Sequence, residues 1–155
     1  FIGWGLAAPI VGLISDRLNN RCKPMLFGAI LSAVLISIII YVPDIPKWLV
    51  FCLLFTFGAC YSVEVIVFAY ACDICPNHAA GTALAMTNML VMLGGSFFQP
   101  IIGKLLDLHS SSNILAQGEH IFSIADYQFA LSILPIGMVI VSLMILWLKE
   151  PRIIK

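Results

Sequence analysis

Residues 25–42 contain no charged side chain and, apart from Ser32 and Ser37, are almost all Ile, Leu, Val and Ala. As a helix rising 1.5 Å per residue this run is about 27 Å long, close to the roughly 30 Å hydrocarbon thickness of a bilayer. Inside a bilayer no water can bond the backbone, so a spanning segment must satisfy its own N–H and C=O groups, and for an isolated run that means helix. Four further runs have the same character, at residues 1–14, 48–71, 81–106 and 127–148. Only 10% of the 155 residues are charged, and mean hydropathy is +1.05. A soluble globular chain carries about 25% charged residues. The expected fold is all-α, a polytopic bundle of five membrane-spanning helices.

The few charges orient the bundle. Arg17, Arg21 and Lys23 crowd into residues 15–24, and short cationic loops stay on the cytoplasmic side during insertion. Strict alternation then puts 72–80 and the tail 149–155 inside, and 43–47 and 107–126 outside. Lys149, Arg152 and Lys155 join the inner set, against Lys47 and Lys104 outside. Net charge is zero, which removes the basic field a nucleic-acid partner would need. Five cysteines, Cys22, Cys52, Cys60, Cys72 and Cys75, lie in spans or inner turns and imply no disulfide framework. The first run makes only about 21 Å of helix. With Phe1 opening in mid-run and neither a native start nor a signal peptide visible, the chain reads as a fragment whose first helix lacks its outer end.

Gly12, Asp16, Arg17 and Arg21 stand in the order G-x-x-x-D-R-x-x-x-R at the first inner turn. This resembles the signature loop between the second and third helices of each six-helix half in the major facilitator superfamily of secondary transporters. A weak internal echo agrees: Pro9, Ile10, Gly12 and Asp16 recur in register as Pro100, Ile101, Gly103 and Asp107, one helix pointing in and the other out. Inverted repeats of this kind mark such transporters, although Pro-x-x-Gly also arises by chance in membrane helices rich in both. Amino-terminal halves of the superfamily usually carry an arginine in the helix after the signature pair, and residues 48–71 contain no Arg or Lys. The resemblance therefore implies helices 8–12 of twelve, the carboxy-terminal half. It further implies transport of a small solute by alternating access, coupled to H⁺, with no cofactor and no enzymatic activity. The partners would be the solute, the lipid bilayer and the missing amino-terminal half, in a bacterial inner membrane. Gly12, Asp16, Arg17 and Arg21 would form a conformational latch, with Asp73 as the acidic partner at the inner end of the third span. Asp73 is followed by Pro76, as in the family, but Asn77 and His78 replace the basic residue common after it. The plainer reading of these charges is orientation alone.

Glu64 is the one full charge within 48–71. A carboxylate there costs several kcal/mol unless it is protonated, paired or wet, so intramembrane acids usually work. Tyr61, three residues earlier, shares its face, and the pair are candidates for substrate binding or coupling. A structural hydrogen bond to a neighbouring helix is the alternative. Asn88 and Gln99 lie about three turns apart on one stripe with Met92 and Gly95, facing either a substrate cavity or another helix as interhelical glue. Gly5, Ala8 and Gly12 make a small-residue face for close helix approach. Cys72, Cys75 and His78 form a lone C-x-x-C, too little for a metal site. His109 and His120 fall in the outer loop. No catalytic motif is visible, and the competing class is a sensor or receptor on a transporter-like scaffold.

Overall fold

The computed structural model describes residues 1–109 and 122–150. The outer-loop residue His120 and the tail residues Arg152 and Lys155 lie outside them. The described residues are helical, in the order α1 (Ile2–Leu18), α2 (Cys22–Tyr41), α3 (Lys47–Tyr61), α4 (Glu64–Asp73), a single 3₁₀ turn (Asn77–Ala79), α5 (Ala80–His109), α6 (Ile124–Leu131) and α7 (Ile133–Trp147). Among the described residues four stretches are long and apolar enough to cross a bilayer: Cys22–Tyr41, Lys47–Asp73, Ala80–Leu108 and Ile124–Trp147. The 17-residue α1 precedes them.

Two spans carry short interruptions in the helical ladder, one with no sequence signal and one close to the bend expected at Pro135 and Gly137, and at both the backbone stays right-handed. Residues 47–73 break at Ser62 and Val63, and residues 124–147 break at Ser132. Pro135 explains the second break. Its ring has no N–H to give the carbonyl of Leu131, four residues back, and clashes with it. In each break a serine hydroxyl bonds a carbonyl three residues earlier, Ser62 to Ala59 and Ser132 to Phe129, both at 2.6 Å. Conversely, Gly94, Gly95 and Pro100 do not interrupt α5, which runs as one 30-residue helix. Without water competing for its backbone, a glycine pair keeps helical hydrogen bonds it would lose in solution.

Packing brings α2 against α7 and α3, and α1 against α3. The core is small: Met25, Ile66 and Ile145, backed by Val11, Val63 and Val67. Large side chains elsewhere face outward, Phe51 at 75% exposure and Phe97 at 73%. Such a surface suits lipid and would aggregate in water. α6 begins with a capping box between Ser123 and Asp126, and its Gln128 amide donates to the Ile40 carbonyl at the end of α2, 3.0 Å away.

The close helix crossings lie off the expected small-residue face. A Cβ at Gly5 or Gly12 would meet nothing within 4 Å. At Gly3 it would stand 3.1 Å from the Phe55 carbonyl carbon, at Gly58 3.2 Å from the Trp4 nitrogen, and at Gly28 2.6 Å from Val63 Cγ2 and 2.9 Å from the Cys60 oxygen. Gly28 is thus what lets α2 lie against the break in the third span. Gly28→Ala is expected to destabilise by about 1–3 kcal/mol through overpacking, and Gly12→Ala by far less. Thermal unfolding in detergent, with both variants side by side, checks the ranking.

Candidate functional site

The turn between α1 and α2 is built by two asparagines. Asn19, at φ 47°, ends α1 in the left-handed conformation and its amide donates to the Asp16 carbonyl at 3.2 Å. Asn20 accepts from the Lys23 amide at 2.8 Å, capping the start of α2. Between them the chain folds Arg21 back under the turn. Its Nη1 donates to Asp16 and, at 3.1 Å, to the buried Ser15 hydroxyl; its Nε donates to Asp73 at the end of α4, 2.9 Å away. The Arg21 side chain is 10% exposed and that of Asp73 23%, whereas Asp16 is 61% exposed. Screening leaves the Asp16 pair little weight, and the Arg21–Asp73 pair carries the cluster. Burial works against the guanidinium charge, but the hydrogen bonds and fields of Asp73 and Asp16 outweigh it and raise the Arg21 pKa.

A second acid completes the cluster from the far end of the chain. Glu150, just past α7, accepts from the Arg21 amide and from the Cys22 amide at 3.2 Å, so its carboxylate sits on the N-terminus of α2. Alongside, the Tyr70 hydroxyl of α4 donates to the Lys149 carbonyl at 2.9 Å. Burial pushes the Glu150 pKa up, but the amides of Arg21 and Cys22, the Cys22 thiol and the Arg21 charge pull harder, and the net shift is downward. Four elements therefore meet at one charged end of the bundle: α1, α2, α4 and the segment after α7.

The other candidate site is a cavity of about 680 Å³ between α2, the α3–α4 break and α7, with Phe98 of α5 at its edge. Its described lining is apolar except for Glu64, Tyr61 and Ser32. Glu64 follows the interruption at Ser62 and Val63, where the backbone stays right-handed and the Val65 and Ile66 amides donate to the Ser62 and Val63 carbonyls three residues back, at 3.1 and 3.0 Å. Tyr61 is the last residue of α3, its ring stacked on Phe57 at 5.8 Å.

A profile of the Major Facilitator Superfamily matches residues 1–99, which hold the whole charge cluster except its Glu150 arm, and Glu64 with its break. The chain belongs to that superfamily. No curated protein and no solved structure matches it. As a member it is an integral, multi-pass membrane protein of a transporter family.

Within this superfamily chain, Arg21 and Asp16 of the signature loop and Asp73 come together in ion pairs. Arg17 is exposed and makes no ion pair among the described residues, and Gly12 has open space beside it. Glu64 and Tyr61 line one cavity, while Asn88 and Gln99 lie on an exposed face of α5 and do not join them. Sequence reasoning missed Glu150 by treating the tail as merely basic; the signal was one acid among Lys149, Arg152 and Lys155. It also missed the tightened turn at Ser62 and Val63 just before Glu64.

Arg21→Ala leaves Asp73 without its partner and is expected to cost about 1–3 kcal/mol, against under about 0.5 for Arg17→Ala. Thermal unfolding of the two variants measures the gap. Because the Glu150 pKa is depressed, the stability it confers is complete above the usual Glu range near 4.3 and is lost as pH falls through the lower folded value. Hydrogen exchange at the Cys22 amide should accelerate below about pH 4 in the wild type, beyond the intrinsic trend. In Glu150→Gln that pH dependence should be absent.

Proposed function

We propose that this chain is the carboxy-terminal half of a secondary transporter that moves a small solute by alternating access, with Glu64 carrying a coupling proton. The observation behind this is the position of Glu64: an intramembrane carboxylate, just past a tightened turn in a spanning helix, lining a cavity. Secondary transporters built from inverted repeats place substrate and coupling-ion sites near the bilayer midplane, at the interface of the repeats. A carboxyl that gains a proton on one side and loses it on the other links the proton gradient to the state of the cavity.

The charge cluster would serve as the latch. Arg21, Asp16 and Asp73, with Glu150 on the start of α2, tie α1, α2, α4 and the end of α7 into one body on the side assigned to the cytoplasm. Contacts made in one conformation and broken in the other bias a two-state rocking motion by their difference in energy between the states. Asn88 and Gln99, on the exposed face of α5, would meet the amino-terminal half, either across the substrate path or as polar glue. The inner membrane of a bacterium is the setting we assign.

Uptake of a panel of radiolabelled solutes into proteoliposomes, with and without an imposed pH step, tests the coupling. One proton per solute predicts up to about tenfold more accumulation per pH unit, since each unit is worth 1.36 kcal/mol. Glu64→Gln should retain exchange at equal pH but lose the response to the step. A solute moved at rates indifferent to the step in both proteins would remove Glu64 from the mechanism.

A further inference from the structure

The exposed side chains of α2 lie on one stripe. Lys23, Phe27, Ile30, Val34, Ile38 and Tyr41 follow one another at three or four residues, the repeat of a single helix face, and all six are exposed. From a lysine at the end assigned to the cytoplasm the stripe climbs about 27 Å to a tyrosine at the other end, close to the thickness of a bilayer core. Bulky apolar residues between a cation and an aromatic at the two interfaces are what a lipid-facing helix carries. A face meant for another helix would hold small or polar residues, as α5 does at Asn88, Gly95 and Gln99. Helix α7 packs beside α2 and extends the apolar surface with Val139, Leu143, Leu146 and Trp147, the last 91% exposed where α7 ends.

The cytoplasmic end of this pair carries unbalanced positive charge. Its acids are already engaged: Asp16 and Asp73 pair with the Arg21 guanidinium, and Glu150 accepts from the Arg21 and Cys22 amides. Lys23 and Lys149 are exposed and make no ion pair among the described residues. The 3.2 Å bond from the Cys22 amide to Glu150 brings the two lysines together, since each is the sequence neighbour of one partner. The Tyr70 hydroxyl fixes the Lys149 carbonyl at 2.9 Å. Two long ammonium side chains thus start from adjacent, anchored backbone beside an apolar surface.

We infer that the outward face of the α2–α7 pair binds an anionic phospholipid of the inner leaflet. Its phosphate lies between Lys23 and Lys149, and its acyl chains run along Phe27 and Ile30 of α2 and Leu143 and Leu146 of α7. Basic positions between spanning helices on the cytoplasmic side suit such headgroups, each lysine strengthening the attraction about fivefold. A zwitterionic headgroup is disfavoured because it brings a cation of its own to a patch that already holds two. Free phosphate would meet the lysines but gain nothing from the apolar stripe. The lipid would tie the same two segments that Glu150 joins, the start of α2 and the end of α7.

Trp147 reports on this site from within. Dibrominated phosphatidylglycerol and dibrominated phosphatidylcholine quench tryptophan fluorescence on contact; each is titrated into nanodiscs holding the whole transporter, and the difference between wild type and Trp147→Phe isolates the Trp147 signal. Phosphatidylglycerol should bind at least about fivefold more tightly than phosphatidylcholine, and the preference should shrink in high salt. Lys23→Gln and Lys149→Gln should each weaken it and together abolish it, while Lys23→Arg with Lys149→Arg keeps it and controls for misfolding. Arg17→Gln removes a charge from α1, which packs against α3, and should leave the preference intact. Equal quenching by the two lipids, or a preference that survives the paired glutamines, would overturn the proposal. A loss in Arg17→Gln as large as in either lysine variant would also overturn it, by showing a diffuse surface field in place of a site. Relief of quenching by millimolar glycerol phosphate would assign the lysines to a free phosphate and reject the lipid.

Discussion

The structure depends on one constraint: within a bilayer, every backbone polar group must find its partner inside the protein. That requirement makes each apolar run a helix, and it decides where a helix can stop. Both mid-span breaks are repaired by a serine side chain that takes up a carbonyl of the preceding turn. The break at Ser62 and Val63 then has a consequence for chemistry. The span runs on through it, its ladder tightened to bonds three residues apart, and the Glu64 carboxylate stands just past the tightened turn.

The same accounting governs the charged end. Helix α2 starts with amide groups that its own turns cannot bond, and they are satisfied by Asn20 from the preceding turn and by Glu150 from the end of the chain. Arg21 is held from three directions, by Asp16, Ser15 and Asp73. Backbone capping and side-chain ion pairing are thus one network. A change that moves α4 relative to α1 must disturb the start of α2 as well.

Much of this was legible in the residues, because the signals involved are local. The all-helical character follows from the apolar runs, and the spacing of Gly12, Asp16, Arg17 and Arg21 carried the family that the profile match shows. What was not legible depends on distant contacts. Nothing near Glu150 announces that it will sit on an amide more than a hundred residues away in sequence. The division of labour between Arg17 and Arg21 is settled by how the Asn19 turn bends, which no charge count reveals. Gly5 and Gly12 have the spacing of a packing face, yet Gly3, Gly28 and Gly58 do the packing, since helix rotation is set by neighbours and not by the helix itself. Ser132 gave no warning of its own, and Pro135 pointed only to the neighbourhood of the break.

Helix α2 is fastened to the final span at both of its ends. Glu150 grips its first turn, and the Gln128 amide reaches the carbonyl of Ile40 in its last. Two rods pinned top and bottom cannot slide or splay against each other; they tilt together, like the uprights of a braced frame. While both fastenings hold, the α2 and α7 side of the wall beside Glu64 stays fixed, and loosening that side requires the release of Glu150 or of Gln128.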